Sequence, residues 1–194
     1  MESYAVAPLP KDAVIDKHIA NVNVIADAIK SAVKQSGTKL KQAAVAVSGS
    51  AVMTKIITMP ASLSEDEMEE QIMVEADQYV PYSLDEVNFD FEVQRPNENN
   101  PDMVDVLLAA SRKENVDDRV ETLLKAGLKA KIVDVEAFAM ENAFSLLADQ
   151  FTDASEGQTV AIADIGASMA TLNVLHGSKT VYTREQGFGG KQLT

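Results

Sequence analysis

From Val87 to Gln94 apolar and polar residues alternate without a break: Val87, Phe89, Phe91 and Val93 against Asn88, Asp90, Glu92 and Gln94. A period of two is the signature of a half-buried strand, one face packed and the other wet. Its neighbours extend the argument. Pro96-Asn97-Glu98-Asn99-Asn100-Pro101 is a loop by its chemistry, and Met103–Ala110 reads as the returning strand. Upstream, Ser64-Glu65-Asp66-Glu67 fits a capping box, with acids where a helix N-terminus is partly positive. Met68, Ile72 and Ala76 follow at helical spacing, joined by Met73 and Val80 before Pro81. Downstream, Ser111-Arg112-Lys113-Glu114 repeats the capping pattern and opens a helix through Val116, Val120, Leu123 and Leu124 to Gly127. A strand–helix–strand–strand–helix–strand order over this stretch makes a compact α+β unit.

The flanks carry the same two periods. Glu2 to Val6 reads as a short strand stopped by Pro8 and Pro10. Val22, Ile25, Ile29 and Val33 mark a helix over Asn21–Ser36, ended by Gly37. Ala43–Val47 and Val52–Met59 read as two strands separated by Ser48-Gly49-Ser50, a hairpin or neighbours in one sheet. Ala130–Val135 is a strand, Glu136–Ala148 a helix and Thr152–Gln158 a polar linker. Thr159–Ile165, Met169–Leu175 and Lys179–Arg184 are three strands, with Gly166 and Gly177 at the bends. The last residues, Gly189-Gly190-Lys191-Gln192-Leu193-Thr194, look like the first turn of a helix.

Composition removes whole classes of chemistry. The chain of 194 residues has no Cys, which excludes disulfides, thiolate metal sites and cysteine nucleophiles. Its two His, His18 and His176, lack a carboxylate or second His at ligand spacing and read as surface or turn residues. A net charge of −13 argues against gripping nucleic acid with the whole surface. No apolar run of membrane-spanning length and no basic start with an apolar core is present, so neither a membrane span nor a signal peptide is expected. These features fit a soluble cytoplasmic protein. The acidic run Glu65-Asp66-Glu67 with Glu69 and Glu70 reads as a solvated face, and Met68 and Met73 as core rather than a docking groove. Ser48-Gly49-Ser50 resembles a nucleophile turn, but no G-x-S-x-G and no base accompany it. No catalytic set is visible.

One constellation points to phosphate. A buried strand would deliver Asp164 to its C-terminal end, and Ile165-Gly166-Ala167-Ser168 turns back into the next strand. Gly166 lets the backbone bend so that amides face outward and can cradle an anion, and Asp164 suits a magnesium ion held through water. Gly189-Gly190 would add further amides and a helix start. Asp and Gly are turn residues in any case, and no Walker A or Rossmann fingerprint occurs, so the pattern by itself also fits an ordinary turn.

Whole-chain wording decides between these. VEADQYVPYSLDEVNFDFEVQ, VDVLLAASRKENVDDRVETLLKAGLKAKIVDVEAFAMENA and DIGASMATLNVLHGSKTVYTREQGFGGKQLT resemble the PilM family of type IV pilus assembly proteins, over essentially the full length. That family is similar to the division protein FtsA. The resemblance implies an α/β fold, a partial actin-like ATPase fold with a ribonuclease H-like core and an inserted FtsA/PilM-type α+β subdomain. It places residues 1–59 and 128–157 in a first-lobe core, 60–127 in the inserted subdomain and 158–194 at the start of a second lobe. It also implies ATP with magnesium in a cleft. Asp164, Gly166, Ala167 and Ser168 would form one phosphate turn, and Gly189, Gly190 and Lys191 another. The implied partner is the cytoplasmic tail of PilN, with other inner-membrane and motor components of the pilus, at a cytoplasmic position peripheral to the inner membrane. Two alternatives stay open: a nucleotide-hydrolysing actin-like ATPase and an FtsA-like division adaptor.

Family members begin with an earlier phosphate hairpin and continue to an adenosine-holding turn. The chain is therefore expected to be truncated at both ends and to bind ATP weakly or not at all by itself, since affinity sums over pre-organised contacts. A half-finished sheet edge would offer a route to homo-oligomers or a domain-swapped dimer.

Overall fold

A computed structural model of the chain describes residues 3–15, 17–80, 82–147, 158–177 and 179–192. The expected linker at 152–157, together with Glu2, Pro81, Leu193, Thr194 and the Ala76 side chain, lies outside the described residues. Two compact units form: Ala51–Val116, and Met1–Ser50 together with Asp117–Thr194. Mixed α and β elements make up both, the fold class expected from the sequence.

The unit Ala51–Val116 is a three-stranded antiparallel sheet covered by a helix. Its strands are β4 (Val52–Pro60), β5 (Val87–Pro96) and β6 (Met103–Arg112), in the order β4-β6-β5. Helix α2 (Glu65–Tyr79) begins as its capping box demands: the Ser64 backbone N–H donates to Glu67 at 2.8 Å, and the Glu67 N–H donates back to Ser64 Oγ at 3.4 Å. Met68 and Ile72 drop from α2 onto Ile57, Met59, Val87, Val106, Leu108 and Ala110, and this is the unit's core. Met73 is 49% exposed and does not join it, because a residue next to Ile72 is turned about 100° around the helix. The same unit carries 15 of the 30 acidic residues but only 4 of the 17 basic ones, so most of the molecule's excess negative charge resides here. The Ser111 capping box does not form. Ser111 continues β6 opposite Asn88, its buried hydroxyl donates to the Ala51 carbonyl, and helix α3 (Lys113–Lys125) starts two residues later.

In the other unit, α1 (Val22–Ser36) is capped by Asn21, whose Oδ1 accepts from the Val24 N–H, and is ended by Gly37 at φ 69°. Strand β3 (Gln42–Val47) does not pair with β4. It runs parallel to β7 (Lys129–Val135), as suits a short strand of small apolar residues, and a 3₁₀ turn at Gly49–Ala51 stands where a hairpin turn would be needed. Helix α4 (Glu136–Ser145) follows β7 directly. Residues 3–10 form no strand. Tyr4 and Val6 are largely exposed, and Pro8 and Pro10 have no N–H for a ladder. A two-residue pairing, β1 (Val14–Ile15) with β2 (His18–Ile19), stands after them. Strands β8 (Thr159–Ile165), β9 (Ala170–His176) and β10 (Lys179–Gln186) make an antiparallel meander in the order β10-β9-β8. β8 is therefore an edge with Ile165 61% exposed, not the buried strand the sequence suggested. No helix among the described residues is long and apolar enough to cross a membrane.

Candidate functional site

The β8–β9 connection is a four-residue turn. Ile165 pairs with Ala170, and the Gly166 N–H donates to the Met169 carbonyl at 2.9 Å. That bond uses the first amide of the turn, and the Ala167 and Ser168 amides have no hydrogen-bond acceptor among the described residues. Asp164, exposed, stands one residue before the end of β8.

A second turn packs against the first, backbone to backbone. Gly190 N–H donates to the Gly166 carbonyl and Lys191 N–H to the Ala167 carbonyl, both at 2.9 Å. Gly189 is the residue that permits this approach: a Cβ there would fall 2.5 Å from the Ala167 carbonyl carbon. The Gly189 N–H donates to the Gln192 side chain at 2.6 Å. The structure thus brings Gly166, Ala167, Gly189, Gly190 and Lys191 together. The amides of the second turn grip the first turn's carbonyls and leave the Ala167 and Ser168 amides at the tip.

Beside this lies a polar cluster that the sequence did not announce. Lys17 Nζ donates to Glu136 Oε2 at 2.6 Å, Thr171 Oγ1 at 3.0 Å and Glu185 Oε1 at 3.3 Å. Ser48, itself buried, donates to both Glu185 oxygens at 2.9 and 3.2 Å, and its hydroxyl lies 3.0 Å from that of Ser50. The serine turn therefore meets a carboxylate held by a lysine, not a general base poised for nucleophilic chemistry. Burial works against both charges of the pair. For Lys17 the two carboxylates outweigh it and the ammonium titrates above its usual range; for Glu185 the hydroxyls of Ser50 and Ser48, with Lys17, pull the carboxyl below its usual range. Arg119, mostly buried, is pushed below its usual range by burial against the charges of Glu136 and Asp118, and donates through Nε to the Ala46 carbonyl and through Nη2 to the Lys17 carbonyl. No spacing in the sequence announces this cluster, since its charged residues stand far apart along the chain.

His18 and His176 are exposed, and His176 Nδ1 lies 3.1 Å from Thr159 Oγ1. Among the described residues no group of three His, Asp or Glu side chains gathers as a metal cluster.

Comparison with known proteins gives the family. The profile of the family described as "Type IV pilus assembly protein PilM" matches residues 1–194. A chain of the solved "PilM-PilN type IV pilus biogenesis complex" superposes with a TM-score of 0.78 at 28% identity, over 98% of this chain and 56% of that one. The chain thus spans little more than half the length of that relative. The ethanolamine utilization protein EutJ from Carboxydothermus hydrogenoformans matches with a TM-score of 0.45 at 14% identity, over 96% of this chain and 43% of that one. The cytoplasmic domain of EpsL, an inner membrane component of the type II secretion system of Vibrio cholerae, gives 0.49 at 10% identity, over 84% and 56%. At TM-scores below one half these two add nothing to the assignment.

Proposed function

The chain belongs to the PilM family of type IV pilus assembly proteins, and from that membership we propose that it is a cytoplasmic adaptor that takes the N-terminal tail of PilN and so joins the inner-membrane assembly platform. The observation that carries this is the 0.78 superposition on a chain of the PilM-PilN complex, which covers 98% of this chain. In this reading residues 60–127, which overlap most of the unit Ala51–Val116, are the inserted subdomain, the β3–β7 layer belongs to the first-lobe core and the β8–β10 meander opens the second lobe. An immobilised synthetic peptide of the PilN cytoplasmic tail from the same organism should retain the chain, and excess free peptide should release it. A tail peptide that retains nothing at high density removes the adaptor reading.

A nucleotide role accompanies it, favoured by the free Ala167 and Ser168 amides beside an exposed Asp164. Two adjacent amides without an acceptor, on exposed residues, suit a phosphate oxygen, and a carboxylate at the strand end suits a magnesium ion held through water. Gly166 sets the bend, while Gly189, Gly190 and Lys191 act as the backing that fixes it. ATP with magnesium would supply polyphosphate charge at this turn, and the chain's part is to bind and orient that charge. ATP is expected to bind this chain weakly at best, so titration with Mg-ATP is followed through the Ala167 and Ser168 amide resonances in the protein that carries both lobes and should move both there; amides that stay unmoved in that protein at millimolar nucleotide overturn the phosphate reading.

A further inference from the structure

Lys17 pays attention to a position that its own backbone resists. It occupies the left-handed region at φ 64°, where glycine is the default and other residues are disfavoured. Even so its carbonyl is held by Arg119 Nη2 at 3.1 Å, and its ammonium is held from three further segments through Glu136, Thr171 and Glu185. A strained residue persists where surrounding structure over-determines it, and such residues gather at functional sites.

Two facts about the topology locate its tip. Ser48 and Glu136 directly follow the last residues of β3 and β7, and the carboxyl ends of parallel strands are where open α/β sheets bind ligands. In the meander, Thr171 of β9 is paired with Asp164 of β8 on one side and Glu185 of β10 on the other. Residues directly opposite in antiparallel strands project from the same face. Asp164, Thr171 and Glu185 thus make one cross-strand row, and the Lys17 ammonium is bonded to two of its three members. The third stands at the exit of β8, beside the turn with the free amides.

The charges in this neighbourhood pose a problem for a phosphate. Asp164, Glu185 and Glu136 are all acids, and an anion approaching the turn meets their combined repulsion. Lys17 is the cation bonded to the last two.

We propose that Lys17 is a charge-compensating positioning residue of the anion face made by Asp164, Thr171 and the Gly166–Ser168 turn, holding Glu136 and Glu185 paired so that a phosphate-bearing ligand can reach the Ala167 and Ser168 amides. This rests on the nucleotide reading above and adds to it a residue outside both glycine turns.

The test is an amide-resolved NMR titration, with Mg-ATP, of the protein that carries both lobes, comparing Lys17→Met, Lys17→Arg and the triple change Lys17→Met, Glu136→Gln, Glu185→Gln. Lys17→Met should weaken the Ala167 and Ser168 response about fivefold, Lys17→Arg should stay within about twofold, and the triple variant should return to within about twofold of the parent. A purely structural role predicts otherwise, since the triple variant lacks the same ion pair as Lys17→Met. A folded triple variant as weak as Lys17→Met therefore overturns the proposal, as does a Lys17→Met chain that binds like the parent; in both cases the nucleotide reading stands. Amides that never respond in the two-lobed parent overturn both. If Lys17→Met does not fold, Glu136→Gln with Glu185→Gln and Lys17 intact decides the matter. Its uncompensated ammonium should tighten binding about fivefold, and unchanged binding overturns the proposal.

Discussion

Lys17 and Glu185 titrate at opposite ends of the pH scale, and the signs of their shifts set a window. Glu185 is lowered in the folded chain, so its contribution is present above the unfolded value of about 4.3 and is lost as pH falls through the folded value. Lys17 is raised, so its contribution is present below about 10.4 and is lost as pH rises through the folded value. Urea midpoints measured across pH should therefore fall at both extremes. Glu185→Gln should flatten the acid limb relative to the parent; an acid limb identical in both would show that the pair contributes nothing. Gly189 makes a second prediction at this scale. A methyl there would press on the Ala167 carbonyl group, so Gly189→Ala should cost about 1–3 kcal/mol, read as a lowered melting temperature. Gly187, with open space around its missing Cβ, is the control, and Gly187→Ala should change stability far less.

Among the elements, α2 shows how a local sequence pattern becomes structure. Removing its cap by Ser64→Ala should cost about 1 kcal/mol in chemical unfolding, and a variant as stable as the parent would mean that tertiary packing alone holds the first turn. Elements governed by local chemistry were legible in the sequence: the Ser64 box, the Gly37 stop, and the alternation of β5 as far as Phe91, beyond which Val93 is exposed and the register with β6 shifts. Elements decided by pairing at a distance were not. Nothing in AAVAV says that its partner is β7 and not β4, because one strand's pattern carries no record of which other strand supplies its ladder. Ser111 has the right neighbours for a cap, yet the register of β6 with β5 holds it extended. In the candidate site the glycines at 166 and 189 could be read, since the close approach of backbone there leaves no room for a Cβ. Lys17, Glu136 and Glu185 could not, since three common charged residues far apart in sequence show no spacing.

At the scale of the molecule, the core of Ala51–Val116 is built from that stretch alone. Ile72→Ala, which empties a site 1% exposed, should cost about 2–5 kcal/mol and should lower hydrogen-exchange protection first in β4, β5 and β6. Val74→Ala on the same helix, 86% exposed, should stay within about 0.5 kcal/mol of the parent. Equal losses at the two positions would contradict the packing described here. The parallel pairing of β3 with β7 has a consequence in time. During synthesis, β3 leaves the ribosome with no partner, and everything needed to complete β4, β5, β6 and α2 emerges before Lys129 does. The stretch in the middle of the chain can thus reach its final form while the segments flanking it in sequence are still waiting, and the protein matures from its interior outward. Contiguous pieces close quickly and distant ones slowly. A nascent chain arrested soon after Lys125 has cleared the exit tunnel should already protect the amides of β6 while those of β3 still exchange freely.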